Sequence, residues 1–376
     1  MISGKYIVEK TNEENISAGV LSKINNQIIY MKQCGITANL CYAQHQNKSI
    51  LSKSCEYLVP FFPSSTSWKS ISIDKTDKFL YIRRPSYISN DFIVFLKQIK
   101  NKFPNIYILL EVPTYPYEGE YRGIRHVILL KDRYNRNRLG TVVDNIVDIF
   151  NNNQLFGIDT IKIQNGVVVD SAFKKLPTRN TNDIKMVCAA CFNFWHGMDR
   201  LIKGIYLYYN SGGSRLITLD LIGNGDEVSN YKHLVENLGL SRFIHFMPAV
   251  NSNKLYKLYS NYNLGVESLG RFRTGNISIN SSLKSRDYLN AGLPFIGEGN
   301  VDVLMDSNYP YYFQVPSNDE PVCIDDVISF FDSIYDANEE ERVIDTIHNF
   351  AYDNVDLHIT FSPVVEAIKR HCQEND

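Results

Sequence analysis

Apolar runs and amphipathic stretches alternate along most of the chain. In the first half, short apolar runs predict strands at residues 5–9, 36–41, 79–82, 106–112 and 160–163, and longer stretches predict helices at 18–33 and 91–102. The helix at 18–33 has Val20, Ile24, Ile28 and Met31 on one face. Regular alternation of strand and helix is typical of parallel βαβ units in a doubly wound sheet.

A second series of the same kind begins near residue 183. The predicted strands are 185–190, 216–222, 242–246, 264–267 and 294–297, the helices between them are 196–209, 226–238, 252–260 and 281–291, and the last 50 residues are helical. Between the two series, residues 174–182 are rich in Pro, Thr and Asn, which favours a linker.

We therefore predict an α/β protein of two Rossmann-like, doubly wound domains that face each other across a cleft. The first domain is predicted at 1–177 and the second at 183–360, and residues 361–376 form a helix that packs back on the first domain. An open α/β sheet binds ligands at the carboxyl ends of its strands, so the cleft is the expected ligand site.

Length and composition agree with two globular domains. The chain has 376 residues, of which 44% are hydrophobic and 21% charged, a balance that excludes a disordered, collagen-like or coiled-coil protein. The net charge of −2 hides an asymmetry, because residues 1–200 carry 26 basic and 17 acidic side chains, whereas 301–376 carry 3 and 17. A near-neutral total gives no reason to expect a nucleic-acid partner.

Cysteine usage and apolar run lengths indicate a cytoplasmic protein. The seven cysteines are an odd number scattered over the chain, which fits a reducing compartment. No apolar run is long enough for a signal peptide or a membrane span. Cys188 and Cys191 form the one CxxC in the sequence. Because zinc sites normally need a second ligand pair, we expect these two residues in a buried strand and predict no metal.

Four segments of the second half occur in an order that resembles a known enzyme family. They are residues 193–201 (NFWHGMDRL), 221–227 (LIGNGDE), 243–248 (FIHFMP) and 283–296 (LKSRDYLNAGLPFI). This order resembles the family 4 retaining glycosyltransferases, which have two Rossmann-like lobes (the GT-B fold). The resemblance is greatest to bacterial enzymes of capsule, exopolysaccharide and lipopolysaccharide synthesis.

The resemblance implies a retaining, hexosyltransferase-like enzyme. It would transfer a sugar from a nucleotide diphosphate sugar, UDP- or GDP-linked, to a glycan acceptor that is lipid-linked, and would need no cofactor. Two other functions stay open. One is a sugar-nucleotide epimerase of the same fold, and the other is a catalytically silent subunit that binds nucleotide sugars.

The predicted helix at 281–291 is the strongest candidate for the donor site. Ser281 and Ser282 open the helix and Lys284 lies in its first turn, and free N–H groups with a nearby cation suit a pyrophosphate. Asp287 lies one turn further on, where the resemblance implies that a carboxylate accepts the ribose hydroxyls. The alternative is an ordinary serine cap with a surface ion pair between Lys284 and Asp287.

Glycine turns supply weaker candidates for contacts with the nucleotide. Gly19 follows the first strand, and Gly223, Asn224 and Gly225 follow a strand of the second domain. A glycine lets the backbone approach a phosphate closely, and the resemblance places the second turn beside the nucleotide. Turn geometry alone also explains both.

The cations that stabilise the leaving diphosphate in the resembled family are replaced here. Where most members have Lys-Gly this chain has His196 and Gly197, and where they have Arg, six residues earlier, it has Ala190. Arg200 or Lys284 then supplies the charge, or His196 acts as a hydrogen-bond donor. Simple packing is the alternative role for His196.

A glutamate that most members carry eight residues before the position of Asp287 is also absent, because Ile279 stands there. The preceding loop contains Arg271, Arg273 and Gly275 instead, and we expect it to wrap the donor sugar and its phosphates. The alternative is a solvated loop.

In the first domain, the segment 111–120 (EVPTYPYEGE) follows a predicted strand. Tyrosines stack on sugar faces and carboxylates accept hydroxyls, so we expect Glu111, Tyr117 and Glu118 to face the acceptor. A rigid surface loop is the alternative.

The next segment, 121–138, predicts a basic amphipathic helix that contacts an anionic membrane surface at the inner face of the membrane. A solvated basic face explains the same pattern.

Overall fold

The computed structural model describes residues 2–10, 16, 18–45, 48–59, 62–118, 126–149, 151–177, 183–275, 279–305, 309–336 and 338–375. The chain forms two compact units. Unit 1 comprises residues 1–164 and 360–376, and unit 2 comprises 165–359. Residues 165–177 thus belong to unit 2, where the Arg286 Nε donates a 2.8 Å hydrogen bond to the carbonyl oxygen of Asn165. Most of the predicted linker, 178–182, lies outside the described residues.

The strands follow the apolar runs of the sequence. Those of unit 1 are β1 Ile2–Val8, β2 Ile36–Tyr42, β3 Gln44–His45, β4 Thr66–Ser67, β5 Asp77–Arg83, β6 Tyr107–Val112, β7 Asn145–Asp148, β8 Gln154–Leu155 and β9 Ile158–Lys162. Those of unit 2 are β10 Ile184–Cys191, β11 Ile217–Asn224, β12 Ile244–Met247, β13 Leu264–Val266, β14 Ile279–Asn280, β15 Phe295–Glu298, β16 Asn300–Val301 and β17 Tyr312–Val315.

The helices lie between strands and at the end of the chain. They are α1 Ala18–Gln33, α2 Ile50–Leu58, α3 Asn90–Lys102, α4 His126–Arg136, α5 Met198–Asn210, α6 Val228–Asn237, α7 Ser252–Tyr259, α8 Leu283–Ala291, α9 Ile324–Tyr335, α10 Glu340–Val355, α11 Leu357–Thr360 and α12 Ser362–Asn375.

Unit 1 is built on one sheet whose described strands have the order β2-β1-β5-β6-β7-β9-β8. All neighbours are parallel except β8 and β9. The chain winds outward from β1 to β2 and then in the other direction from β5 to β9, so the winding reverses between β1 and β5. Apolar residues of β5, β6 and α3, among them Leu80, Leu110 and Phe92, form the core. Helix α12 belongs to this unit, and its His371 ring stacks on Tyr107 at 4.3 Å.

Unit 2 repeats this plan with a smaller sheet. Its described strands are parallel neighbours in the order β12-β11-β10-β13-β15-β17. The winding reverses between β10 and β13. The final acidic helices of the unit form ion pairs with basic residues of earlier elements: Lys175 with Glu340 at 2.7 Å, and Arg215 with Asp332 at 2.7 Å. The predicted doubly wound α/β architecture is confirmed in both units.

Candidate functional site

The point at which the winding reverses locates a candidate site in unit 2. Parallel sheets of this kind bind ligands where the strand order reverses, at the carboxyl ends of the two strands involved. Here those strands are β10, which ends at Cys191, and β13, which ends at Val266. The segments that follow them, 192–197 and 267–270, therefore form the first part of the site.

Close backbone packing holds these two segments together. The Leu269 N–H donates a 2.8 Å hydrogen bond to the carbonyl oxygen of His196. Gly197 has φ 64°, and a Cβ there would lie 2.6 Å from the nitrogen of Gly270. Residue 197 must therefore be glycine to keep the contact. Because this left-handed residue interrupts the helical path, α5 begins at Met198 and not at His196 as predicted.

His196 is a neutral hydrogen-bond donor in this site. Its side chain is buried, and its Nδ1 lies 2.9 Å from the Asn193 nitrogen and 3.2 Å from the Asn193 carbonyl oxygen. Because the shorter contact is to an N–H group, which can only donate, we assign the ring proton to Nε2. Burial, helped by the positive charge of Lys284, lowers the pKa of His196 to about 3. No described residue accepts a hydrogen bond from Nε2.

Glu267, the residue directly after β13, organises the floor of the site. It is fully buried, and its carboxylate accepts hydrogen bonds from the Ser282 hydroxyl, from the Ser268 N–H at 2.9 Å and from Asn280 Nδ2 at 3.2 Å. Burial raises the pKa of Glu267, but Lys284 and these hydrogen bonds outweigh burial and bring it to about 2. Glu267 is therefore an ionised carboxylate at neutral pH. The prediction from sequence did not include this residue among the site residues.

Lys284 projects from the first turn of α8 toward Glu267. Its Nζ lies 3.5 Å from Glu267 Oε2 and 3.3 Å from Ser268 Oγ. Ser282 caps the helix by accepting the Ser285 N–H, so the N–H groups of Leu283 and Lys284 have no partner within the helix. Ser281 instead lies inside unit 2, where its hydroxyl accepts the Asn165 N–H at 3.3 Å. The structure thus brings Lys284, His196 and Glu267 together.

Asp287 lies one turn further along α8 and pairs with a tyrosine and not with Lys284. Its Oδ1 accepts a 2.6 Å hydrogen bond from the Tyr256 hydroxyl. Burial and, less strongly, the nearby Glu267 carboxylate raise the pKa of Asp287 to about 7, against the opposing effect of the Tyr256 hydrogen bond. Among the described residues no donor contacts Oδ2, so this oxygen has capacity to accept a hydroxyl.

The predicted arginines are held by protein acceptors. Arg200 is almost fully buried, and its guanidinium donates to the carbonyl oxygens of Leu269, Pro316 and Glu320 and to the side chain of Asn318. Arg273 forms two hydrogen bonds of 2.9 and 3.0 Å with Asp199 and pairs with Asp319. These two guanidinium groups stabilise loops around the site. Lys284 and, less strongly, Arg271 are the predicted cations whose charges lower the pKa of His196.

The rest of the predicted donor loop lies beside the site. The Arg271 N–H donates a 3.0 Å hydrogen bond to the buried carboxylate of Glu298, a second acidic residue at the end of a strand that the prediction did not include. Gly275 follows in a left-handed conformation with φ 97°. The next three residues, 276–278, lie outside the described part of the chain.

The glycine turns have structural explanations. A Cβ on Gly223 would lie 1.9 Å from the Ala190 carbonyl oxygen, and one on Gly225 would lie 2.3 Å from that of Phe192. Asn224 ends β11, and its carbonyl oxygen accepts the Phe192 N–H. These residues therefore pack the ends of β10 and β11 together. Gly19, in unit 1, is exposed in the first turn of α1.

The three predicted acceptor residues of unit 1 differ in exposure. Glu111 is fully buried and bonds Lys23 at 2.6 Å and Arg83 at 2.9 Å, and although burial alone raises the pKa of Glu111, these cations bring it to about 2. Tyr117 is buried and donates a 2.5 Å hydrogen bond to Asp132. Glu118 is partly exposed and pairs with Arg136 at 3.0 Å. Contact with an acceptor stays a prediction for all three residues.

The basic stretch that is predicted to contact a membrane is described from residue 126 onward, as α4, and residues 121–125 lie outside the described part. None of the described helices has the length and apolar character needed to cross a bilayer.

Among the described residues, no three His, Cys, Asp or Glu side chains cluster as the ligands of a metal ion. The absence of a metal from the reaction stays a prediction.

No family model and no curated protein matches the sequence. Solved structures do match over the whole chain. A glycosyltransferase from Rickettsia africae is 13% identical, with 99% of both chains covered and a TM-score of 0.63. A sucrose-phosphate synthase from Thermosynechococcus elongatus is 11% identical, with 100% of both chains covered and a TM-score of 0.69. An alpha-glucosyltransferase in complex with UDP and DNA is 13% identical, covers 98% of this chain and 100% of its own, and has a TM-score of 0.64.

At these identities the likeness shows the fold alone. The chain has the fold of GT-B glycosyltransferases, as predicted from the order of its sequence motifs. Membership of family 4 stays a prediction.

Proposed function

We propose that the protein is a retaining glycosyltransferase of family 4 that transfers a hexose from a UDP- or GDP-linked sugar to a glycan. The observation that supports this proposal best is the group formed by Lys284, His196 and the N-terminus of α8 where the winding of the unit 2 sheet reverses. The fold agrees with it, and the similar alpha-glucosyltransferase was solved in complex with UDP.

Each member of the group suits the diphosphate of the donor. Lys284 supplies a positive charge, and the free N–H groups of Leu283 and Lys284 supply donors at the positive end of the α8 dipole. His196 adds a neutral N–H donor through Nε2. The ionised Glu267 and Ser268 fix the Lys284 ammonium, so the charge is in place before the substrate binds.

The chemistry follows from this arrangement. As the bond between the sugar and the diphosphate breaks, negative charge grows on the leaving phosphate and positive charge on the anomeric carbon. Donors already in position stabilise the phosphate more as its charge increases, which lowers the barrier. Asp287 is suited to accept ribose hydroxyls through Oδ2, because its other oxygen is occupied by Tyr256.

The acceptor and location are proposed from the resemblance. We propose a lipid-linked glycan of surface polysaccharide synthesis and a cytoplasmic enzyme at the inner face of the membrane. Helix α4 supports the membrane contact through its exposed basic residue Arg133.

Incubation of the purified protein with a panel of UDP-, GDP- and ADP-sugars tests the proposal. We expect slow hydrolysis of one nucleotide sugar, release of the matching nucleoside diphosphate, and an anomeric product of unchanged configuration by NMR. Inversion would contradict the retaining mechanism. Conversion of the donor to an epimer would favour the epimerase, and nucleotide binding without turnover, even with glycan acceptors added, would favour the silent subunit.

His196→Gln separates the role of the neutral donor from that of a cation. Glutamine keeps an N–H donor without any charge, so we expect it to retain more turnover than His196→Leu. Equal loss in both variants would contradict the donor role. Unfolding by urea is the control for stability, since the side chain is buried.

A further inference from the structure

Unit 1 contains a small cavity whose described lining residues all belong to that unit. Its volume is about 240 Å³, below the roughly 300–1,000 Å³ of pockets for drug-sized ligands. One side of the cavity is formed by the start of α3 and by the loop that precedes it, which follows the carboxyl end of β5. Helix α4 forms the other side. Its lining includes Phe62, Tyr87, Asn90, Leu130, Tyr134 and Asn135. Lys131 also lines it, and its Nζ donates to the carbonyl oxygen of Glu56.

One arginine orients the two asparagines of this cavity. Arg138 Nη1 donates to Asn90 Oδ1 at 2.9 Å and to Asn135 Oδ1 at 3.0 Å. A guanidinium has no acceptor, so the atoms that face it must be the amide oxygens. The NH₂ group of each asparagine is thereby left for another partner, and no described residue accepts a hydrogen bond from either of them.

The burial of Asn135 strengthens this point. The residue is only 4% exposed, and it lines the cavity. Its Oδ1 is occupied by Arg138, and its NH₂ group has no acceptor among the described residues. A buried amide that lines a cavity with an unused NH₂ group is suited to a ligand with an acceptor oxygen.

Aromatic side chains complete the cavity walls. Tyr87 is buried and its hydroxyl is bound to Glu56 at 3.0 Å, so its ring position is fixed. Tyr134 is 56% exposed at the rim, with the Arg138 guanidinium 5.7 Å from its ring centre. Phe62 lies beside the same space. A sugar ring presents C–H groups on its faces and oxygens at its edge, which matches aromatic walls combined with amide donors.

We propose that this cavity binds one sugar ring of a glycan chain, with the Asn90 and Asn135 amides donating to its hydroxyl or acetamido oxygens and Tyr134 covering one face. That this glycan is the acceptor rests on the proposed function.

Binding of neutral tetrasaccharides tests the proposal without any need for turnover. The probes are maltotetraose, cellotetraose, mannotetraose and chitotetraose, measured by saturation-transfer NMR and calorimetry on the full chain. Asn135→Asp keeps the size of the side chain and its bond to Arg138 but replaces the donor by an acceptor. Tyr134→Ala removes the exposed ring with little risk to folding. Asn101→Ala, on the exposed part of α3, is the matched control.

We expect at least one tetrasaccharide to bind the wild-type protein. Asn135→Asp and Tyr134→Ala should each weaken that binding by about tenfold or more, while Asn101→Ala leaves it unchanged. Binding of none of the four glycans, or equal binding by the wild type and Asn135→Asp, would overturn the proposal. So would Tyr134-dependent binding to phosphatidylglycerol vesicles without glycan binding, which would make the cavity a lipid contact.

Parallel UDP and GDP titrations separate this inference from the proposed function. Nucleotide binding in unit 2 should be the same in all three variants. Loss of glycan binding with intact nucleotide binding supports the cavity site. Glycan binding without any nucleotide binding would support the cavity as a carbohydrate site while contradicting the glycosyltransferase.

Discussion

The carboxyl group of Asp287 makes the stability of unit 2 depend on pH in a direction that the structure determines. Burial raises its pKa to about 7 in the folded protein, from 3.8 for the free group. Between these two values the folded state holds a proton that the unfolded state has lost. The free energy of unfolding therefore falls as pH rises through this range.

Asp287→Asn keeps the shape of the side chain and removes the titration. A difference of about three in pKa corresponds to at most about 4 kcal/mol. Most of this change in the free energy of unfolding occurs above pH 5. Between pH 5 and pH 7.5 the free energy of unfolding of the variant should therefore rise by about 2.5 kcal/mol relative to that of the wild type. The absolute difference at pH 5 includes any change that the substitution makes in the hydrogen bond with Tyr256, whereas the change with pH follows from the pKa of Asp287 in the wild type.

The two tryptophans provide the assay, because Trp68 lies in unit 1 and Trp195 in unit 2. In a Trp68→Phe background, urea unfolding followed by fluorescence reports unit 2 alone. Asp226→Asn is the control, since that residue is exposed. If the difference in the free energy of unfolding between Asp287→Asn and its parent stays constant from pH 5 to pH 7.5, the reasoning is refuted.

Two further predictions concern packing around the same site. Gly197→Ala should destabilise unit 2 by at least about 2 kcal/mol more than Gly239→Ala. Both positions have positive φ, but only a Cβ at residue 197 would clash, with Gly270. Urea unfolding measures the two losses of stability, and equal losses would contradict the prediction. Burial raises the pKa of Cys188 to about 12, so Ellman's reagent at pH 8 should modify the exposed Cys191 and leave Cys188 unreacted until the protein unfolds. Mass spectrometry of the labelled peptides identifies the modified residue, and rapid labelling of Cys188 in the folded protein would contradict the prediction.

Periodicity was sufficient to predict most of the architecture. Helix α1 has the predicted bounds, and the strands β5, β10 and β13 lie within two residues of the predicted ranges. Long amphipathic or fully apolar segments are predictable because one face must be buried. The prediction missed the four-residue strands β7 and β17.

The functional residues were less predictable, because their roles depend on contacts distant in sequence. Lys284 was predicted from its place in the first turn of a helix, which is a local signal. Its actual partner, Glu267, lies 17 residues away and is brought close by the crossover from β13 to α8. The one signal for Glu267 in the sequence is its position directly after an apolar strand. Arg200 has the charge expected of a site cation, but its guanidinium is bound to carbonyl oxygens of distant loops. The paths of these loops are not evident from the sequence.

Calorimetric titration of UDP and GDP into the wild type and Lys284→Met tests the central claim most directly. A charge-assisted contact with the diphosphate is worth about 1.5–3 kcal/mol, so the variant should bind about 10- to 150-fold more weakly. Lys257→Met, on the exposed side of α7, should bind as the wild type does. Equal affinity of Lys284→Met and wild type, or no nucleotide binding by the wild type, would contradict a donor site at the start of α8.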